Sequence, residues 1–151
     1  RGWAALAVHP LYWPRRHEDT KRRQEKKMGY TFEPMSRKII AAAIEVHREL
    51  GPGLLESTYE AALCIELEER GLNYRRQACV PVCYKRKPVG EYRLDLLIED
   101  EVVVEVKAGE RLDPVFDAQV LTYLRATGKH VGLLINFNSR MVSRGIRRYV
   151  L

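Results

Sequence analysis

Apolar residues in the first half of the chain recur at the spacing of two α-helices. In residues 36–50 they repeat every three to four positions, which is the period of one helical face. The predicted inward face consists of Ile39, Ile40, Ala43, Ile44, His47 and Leu50. Ser36 is the predicted N-cap of this helix, and residues 51–53 (Gly-Pro-Gly) predict its end. A second helix is predicted from about Leu54 to Arg70, and Gly71 ends it.

The period then changes to two, which predicts three strands. Residues 74–84 and 91–98 alternate between apolar and polar side chains, and residues 85–90 form the predicted turn between them. In the second strand, the alternation places Leu94 and Leu96 on one face and Asp95 on the other. Residues 99–101 are the predicted tip of a hairpin, and the valine-rich residues 102–107 are the third strand.

A further helix and strand follow. Asp113 before Pro114 is typical of an N-cap and a first helical position, and Gly128 ends that helix after Thr127. The stretch KHVGLLINF is almost continuously apolar, as in a strand that is covered on both faces. A short edge strand is predicted in RGIRRYVL. The order helix, helix, three strands, helix, strand predicts an α/β domain.

The net charge of +6 is unevenly distributed over the 151 residues. Residues 1–27 hold eight Lys/Arg and three Asp/Glu, whereas the rest of the chain holds eighteen and seventeen. We therefore interpret residues 1–27 as a disordered or non-native basic segment and residues 28–151 as the folded domain. Because the excess charge lies mostly in the first segment, it is weak evidence for a nucleic-acid partner.

Two classes of protein are disfavoured by the composition. No run of about 18 apolar residues is present, so we expect no membrane span. The cysteines at 64, 79 and 83 are odd in number, and a spacing of C-x3-C is not that of a zinc site. We expect a reducing, cytoplasmic location and no structural disulfide.

Two acidic residues oppose each other across the predicted hairpin. If the tip is centred on Asp100, Asp95 lies opposite Glu105, and Lys107 shares the face of Glu105. Opposed side chains of an antiparallel pair have Cβ atoms roughly 4.5–5.5 Å apart, so two carboxylates there would repel each other. A Mg²⁺ or Mn²⁺ ion between them would remove the repulsion. The alternative is a solvent-facing sheet surface that carries an ordinary Glu–Lys pair.

The chain resembles the GxxExxY family, which belongs to the PD-(D/E)xK nuclease superfamily. The motif is met by Gly53, Glu56 and Tyr59 in GLLESTY, and the resemblance continues in EYRLDLLIED, VVEVKA, AQVLTYLRATG and VGLLINF. It covers roughly residues 30–151. It implies a restriction-endonuclease-like αβββαβ core, in which helices flank a mixed central sheet, with an extra leading helix. Leu94 stands where the superfamily name has a proline.

The resemblance also implies roles for single residues. Asp95, Glu105, Lys107 and Gln119 would be the catalytic residues, and Glu56 would supplement the metal site of Asp95 and Glu105. Gln119 and Tyr123 match the QxxxY feature of the branch that contains RecB-like and Cas4-like nucleases, and Tyr59 would support the site. Taken alone, Glu56 is also explained as a first-turn acid, Gln119 as a surface amide and Tyr123 as a core-edge residue.

The expected function is Mg²⁺- or Mn²⁺-dependent hydrolysis of DNA phosphodiester bonds. The alternatives are a catalytically silent nucleic-acid-binding module and a nuclease subunit that is active only in a larger complex, and a homodimer is also compatible. Two basic clusters are candidate nucleic-acid contacts, although an ordinary solvated turn is the favoured explanation of the first, and the two explanations of the second are evenly balanced. They are Lys85, Arg86 and Lys87, and Arg144, Arg147 and Arg148.

Overall fold

The computed structural model describes the backbone of residues 18–151 and the side chains of residues 34–151. The helices are α1 (Glu18–Leu50), α2 (Glu56–Glu69) and α3 (Pro114–Thr127), with one 3₁₀ turn at Val142–Arg144. The strands are β1 (Tyr74–Tyr84), β2 (Lys87–Ile98), β3 (Val102–Lys107), β4 (Val131–Asn136) and β5 (Ile146–Val150). The predicted order of elements is confirmed, including the edge strand at the end.

The five strands form one mixed sheet in the order β1-β2-β3-β4-β5. All neighbouring strands are antiparallel except β3 and β4, which are parallel and joined through α3. Helices α1 and α2 pack on one face of the sheet, where residues such as Leu96 and Val104 join their core. Helix α3 packs on the other face against Leu97, Val103 and Leu134. This is the predicted α/β fold with a sheet flanked by helices.

Helix α1 differs from its prediction in two ways. It runs through Ser36, so the predicted N-cap is wrong, and the Ser36 side chain is buried where Arg148 donates a hydrogen bond to it. The buried face is formed by Ile39, Ala42, Ala43 and Val46. Ile44 and Leu50 are exposed, because the core-facing stripe is rotated from the predicted one. Residues 1–17 lie outside the described residues, and the predicted boundary after residue 27 falls within α1.

Strand β2 begins four residues earlier than predicted. The turn before it consists of Lys85 and Arg86, both with positive φ, and residues 87–90 are paired strand. The alternation also fails at Leu94, which packs with α3 and Leu97 while Leu96 packs on the opposite face. The β1–β2 pairing is irregular here, because Gln77 lies unpaired between the Arg76–Leu96 and Ala78–Leu94 pairs and has a φ of 51°.

The ends of α3 and the tip of the second hairpin follow the sequence closely. Asp113 is the N-cap of α3, accepting a hydrogen bond from the Val115 amide at 2.9 Å, and Gly128 ends the helix with a φ of 68°. Glu99 and Asp100 form the tip of the β2–β3 hairpin with positive φ. None of the helices in the described residues is both long and apolar enough to span a membrane.

Candidate active site

The predicted register between β2 and β3 is confirmed, and it ends next to Asp95. Leu96 pairs with Val104, Leu97 with Val103 and Ile98 with Val102, so the next position places Asp95 opposite Glu105. Ladder pairing ends there. The Asp95 Oδ2 atom accepts a hydrogen bond from the Val106 amide at 2.8 Å, so a side chain replaces the backbone partner. The two strands separate at this point, and the carboxylates lie where they part.

Glu105 is a buried acid with one unused oxygen. Its Oε1 atom accepts a hydrogen bond from Lys107 Nζ at 2.8 Å, while its Oε2 atom is buried without a hydrogen-bond partner. The pKa of Glu105 is raised to about 7. Burial is the largest cause, the charge of Asp95 is the second, and the ion pair with Lys107 opposes both. A buried carboxylate oxygen without a donor is costly, unless a cation or a proton occupies it.

Lys107 lies between the sheet and α3. Its Nζ atom lies 4.8 Å from the centroid of the Phe116 ring, a cation–π distance. Burial lowers the pKa of Lys107, but the hydrogen bond and charge of Glu105 outweigh it, and the net shift is upward. The ammonium therefore stays charged beside Glu105. Burial also raises the pKa of Asp95, against the Val106 amide and the charge of Lys107.

Helix α3 brings its two predicted residues together above β2. The Gln119 side-chain amide donates a hydrogen bond to the Tyr123 hydroxyl, as expected for residues one turn apart. Tyr123 is buried, and its ring lies 5.5 Å from the ring of Tyr92 on β2. Burial and the charges of Glu105 and Asp95 raise its pKa, so the hydroxyl remains neutral. Tyr123 therefore interacts electrostatically with both acids.

The GLLESTY stretch forms a loop and the first turn of α2. The Tyr59 hydroxyl donates to the Gly51 carbonyl at 2.6 Å and accepts from the Leu54 amide at 3.1 Å. The Tyr59 ring is fully buried and stacks on Phe137 with centroids 4.7 Å apart. Tyr59 thus ties the loop to the core, and Glu56 begins the helix immediately after it. Glu56 is exposed, and its negative charge contributes to raising the pKa of Glu105 and of Lys107.

Two polar residues near Asp95 were not predicted. Glu60 is buried one turn after Glu56, and it pairs with Arg76 at 2.5 Å. The Gln77 side-chain amide donates both to Glu60 at 3.0 Å and to Asp95 at 3.3 Å. Gln77 thus joins α2 to the candidate site. The i, i+4 spacing from Glu56 indicates the position of Glu60, but no sequence signal indicates the left-handed backbone that aims Gln77 at both acids.

Phe116 was also missed, although a signal for it exists. It precedes Gln119 by three residues on α3, so the two side chains project from the same helical face. An aromatic ring in that position reads as ordinary core. Its contact with the Lys107 ammonium becomes visible only when α3 is placed against β3.

The structure separates the predicted basic residues. Lys85 and Lys87 are exposed at the far end of the β1–β2 hairpin. Arg147 and Arg148 are neighbours on β5 and point to opposite faces, since Arg147 binds Asp117 of α3 at 2.8 Å and Arg148 binds Ser36 of α1. Arg144 is exposed in the 3₁₀ turn. The second predicted cluster is therefore not one continuous surface, because alternation along β5 divides it.

The donor set fits a hard divalent cation held by two protein carboxylates. Asp95 and Glu105 would supply oxygen ligands, and the orphaned Glu105 Oε2 atom is an acceptor without a partner. Among the described side chains, no three His, Cys, Asp or Glu residues lie close enough together to form a metal cluster. Mg²⁺ is commonly held by one or two carboxylates and completes its shell with water and phosphate oxygens. A pair of carboxylates is thus sufficient.

Comparison with known proteins identifies one relationship. A family model described as the PD-(D/E)XK nuclease superfamily matches residues 33–149. No curated protein and no solved structure matches the chain. The matched range contains every residue of the candidate site described above.

Proposed function

Because the chain belongs to the PD-(D/E)XK nuclease superfamily, we propose that it is a metal-dependent nuclease that hydrolyses DNA phosphodiester bonds. The observation that carries the proposal is the group formed by Asp95, Glu105 and Lys107 where β2 and β3 separate. Within this group, one buried oxygen of Glu105 has no hydrogen-bond partner. An ordinary surface ion pair would leave both oxygens in contact with water.

Asp95 and Glu105 would hold Mg²⁺ or Mn²⁺, and exposed Glu56 would reach the ion through water. When bound, the ion would lower the pKa of a water molecule and neutralise charge on the scissile phosphate. The donation of the Val106 amide to Oδ2 fixes the orientation of Asp95 and leaves Oδ1 toward Gln77. Both acids are thus held by the protein before substrate arrives, which limits the reorganisation needed for binding.

Lys107 is the proposed residue that orients the attacking water and stabilises developing charge on the phosphate. An ammonium group has three donors, so the hydrogen bond to Glu105 leaves two for water and phosphate oxygens. The Phe116 ring and the Glu105 carboxylate hold the ammonium in place. The neutral Tyr123 hydroxyl, bound to Gln119, would donate to the substrate backbone or support the acids.

Two finer assignments are part of the proposal. We assign the chain to the GxxExxY family, since Gly53 has a φ of 102°, which favours glycine, and Tyr59 fixes the loop before Glu56. The hydrogen bond between Gln119 and Tyr123 supports the branch that carries QxxxY. Each motif residue would thus have a physical task in holding or forming the proposed site.

The test is cleavage of single-stranded, duplex and branched DNA with Mg²⁺ or Mn²⁺. Asp95→Asn and Lys107→Ala should each lower the rate on the order of 100-fold or more, the scale found when one preorganised charge-stabilising group is removed. Asp100 and Lys129 offer a matched control, because they form an ion pair at 2.9 Å at the hairpin tip, with Asp100 exposed and Lys129 partly buried. Asp100→Asn and Lys129→Ala should keep the parental rate.

Three results separate the alternatives. Loss of cleavage in the two site variants alone supports the proposal. Equal cleavage by all five proteins would show that the activity belongs to another site or to a contaminant. Absence of cleavage by the parent, with Mn²⁺ binding that depends on Asp95, would instead favour a silent binding module or a subunit that needs its complex.

A further inference from the structure

The β1–β2 hairpin extends well beyond the rest of the sheet. Strand β3 pairs with β2 only from Leu96 to Ile98, while β1 and β2 remain paired with each other out to Tyr84 and Lys87. We call residues 81–93 the hairpin arm. All of residues 84–93 are exposed. In the described part of the chain, this arm therefore has two unpaired edges, and both of its faces are exposed from Tyr84 to Glu91.

The arm carries the positive charge of the domain. It contains four Lys/Arg and one Asp/Glu, whereas the remainder of residues 28–151 contains fourteen and sixteen. The arm thus has a net charge of +3 on a domain that is otherwise at −2. Its cations are Lys85, Arg86, Lys87 and Arg93. Within residues 28–151, such a separation of charge attracts a polyanion to the arm rather than to the remaining surface.

The arm is poorly suited to binding a strand from another protein. Pro81 lies in β1 and Pro88 in β2, and each lacks the N–H group that strand addition requires. Lysine and proline on open strands are the features that prevent edge-to-edge pairing. A polyanion is therefore a better partner than a second copy of the chain joined through these edges.

The dimensions of the arm match duplex DNA. A major groove is about 12 Å wide and admits a two-stranded β-ribbon. Lys87 and Asp95 are eight residues apart on β2, so the tip extends roughly 26 Å from the candidate site at about 3.3 Å per residue. At about 3.4 Å per base pair, this distance corresponds to roughly eight base pairs. The arm is also joined to the site, because Tyr92 contacts Tyr123.

We propose that the hairpin arm enters a groove of duplex DNA and binds its phosphates about eight base pairs from the cleavage point. This inference rests on the proposed nuclease function, and it assigns the class of substrate and the surface that positions it. Exposed Tyr84, with Lys85 Nζ 5.4 Å from its ring centroid, supplies a flat surface beside the cations.

The turn at the tip allows charge to be removed without weakening the hairpin. Lys85 and Arg86 have φ values of 47° and 67°, a combination that favours Asn-Gly. The double variant Lys85→Asn/Arg86→Gly therefore removes two charges and suits the turn better than the parent. Lys38→Gln/Arg48→Gln on the exposed surface of α1 removes one Lys and one Arg as a matched control.

Affinity should be measured by fluorescence anisotropy in EDTA over a range of salt concentrations. The probes are a duplex of about three helical turns and a single strand of equal length. For the duplex, the arm variant should bind about tenfold more weakly, and the slope of log K against log salt should fall by about 1.8. The control variant should keep the parental slope, and single-strand affinity should change less.

Each other outcome overturns the inference. If the parent cleaves DNA and the arm variant keeps the duplex affinity and slope of the control, the arm proposal fails while the nuclease proposal stands. If the arm variant loses as much affinity for single-stranded DNA as for the duplex, the arm does not bind in a groove. A parent that neither binds nor cleaves DNA would remove both proposals.

Discussion

The ionised form of Glu105 is destabilised by its surroundings in the candidate site. It is almost fully buried, with another carboxylate opposite and a single cation beside it. Folding therefore favours its protonated form, which is why its pKa is about 7 instead of the ordinary 4.5. A site that binds a divalent cation gains from this arrangement, because the cation removes a penalty that the metal-free protein carries.

The metal-free protein should lose stability as the pH rises. The pKa of Glu105 is raised from 4.5, the ordinary value, to about 7 in the folded protein. The folded protein therefore binds the proton more tightly, and this stabilisation is complete below pH 4.5 and is lost as the pH rises to about 7. Between about pH 5.5 and pH 8, the free energy of unfolding should fall by about 2 kcal/mol. Glu105→Gln should abolish most of that decrease. Urea unfolding in EDTA at several pH values measures it.

Asp117→Asn is the control for this prediction. Hydrogen bonds from Tyr149 and Arg147 lower the pKa of Asp117. Its contribution to the free energy of unfolding is therefore constant near neutral pH and is lost only in acid. Its removal should shift the stability by a similar amount across about pH 5.5 to pH 8, with the parental slope retained. A Glu105→Gln variant with that same slope would contradict the account of Glu105.

Single residues differ in how far the sequence determines them. The opposition of Asp95 and Glu105 was predictable, because a hairpin centred on Asp100 leaves one register. The contacts of Glu60 and Gln77 were not, because they depend on the left-handed backbone of Gln77, which no side-chain pattern encodes. The unpartnered Glu105 Oε2 atom was equally unpredictable, since it results from the absence of a donor nearby in the folded structure.

At the scale of elements, the GLLESTY segment links a loop, a helix and the core. Tyr59 is the connection, because its ring packs on Phe137 and its hydroxyl binds two backbone groups of the loop. The loop needs this support, as its two glycines at 51 and 53 have positive φ and few other restraints on their conformation. The position of Glu56 follows from the same restraint.

Tyr59→Phe should therefore loosen the loop while leaving the ring stack in place. The variant removes two hydrogen bonds, and the free energy of unfolding should fall by about 1–2 kcal/mol. Cleavage by the variant should also slow, because Glu56 follows the loop directly. Tyr84→Phe is the matched control, since Tyr84 is exposed and its change should stay within about 0.5 kcal/mol. Equal stability of the two variants would show that the loop is held by other contacts.

The elements differ in how well the pattern predicts them. Helix α3 was predicted to the residue, because Asp113, Pro114 and Gly128 are strong local signals that tertiary packing does not oppose. Within the hairpin arm, residues 85–90 are predicted as a turn, because KRKPVG is polar and contains proline and glycine, whereas residues 87–90 are paired strand. Exposed residues that pair only within one hairpin show no alternation of apolar and polar side chains, and that alternation is the signal that predicts a strand.

At the scale of the whole molecule, the two faces of the sheet differ: one forms most of the hydrophobic core, and the other carries the candidate site. Its α1–α2 face is the larger core, whereas its α3 face carries Glu105, Lys107, Gln119 and Tyr123 above a smaller core. The geometry of the candidate site therefore depends on how closely α3 approaches the sheet. Gly132 of β4 sets that distance, because a Cβ atom there would lie 2.6 Å from Val120 Cγ1 and 3.3 Å from Leu124 Cδ1.

Gly132→Ala tests whether this close approach holds the site together. The added methyl group must push α3 away from β4, because Val120 and Leu124 are buried and a β-branched side chain has little freedom to move. The free energy of unfolding should fall by about 1–3 kcal/mol. Cleavage should fall as well, since Phe116, Gln119 and Tyr123 move with the helix.

Gly90→Ala supplies the control, because a Cβ atom at Gly90 meets nothing within 4 Å and φ is not positive there. Its free energy of unfolding should stay within about 0.5 kcal/mol of the parental value. Urea unfolding of both variants, and cleavage assays on Gly132→Ala and the parent, make the comparison. If Gly132→Ala unfolds at the parental urea concentration but cleaves slowly, α3 has moved without loss of packing. If Gly132→Ala matches the parent in both stability and cleavage rate, the distance between α3 and the sheet does not control the site.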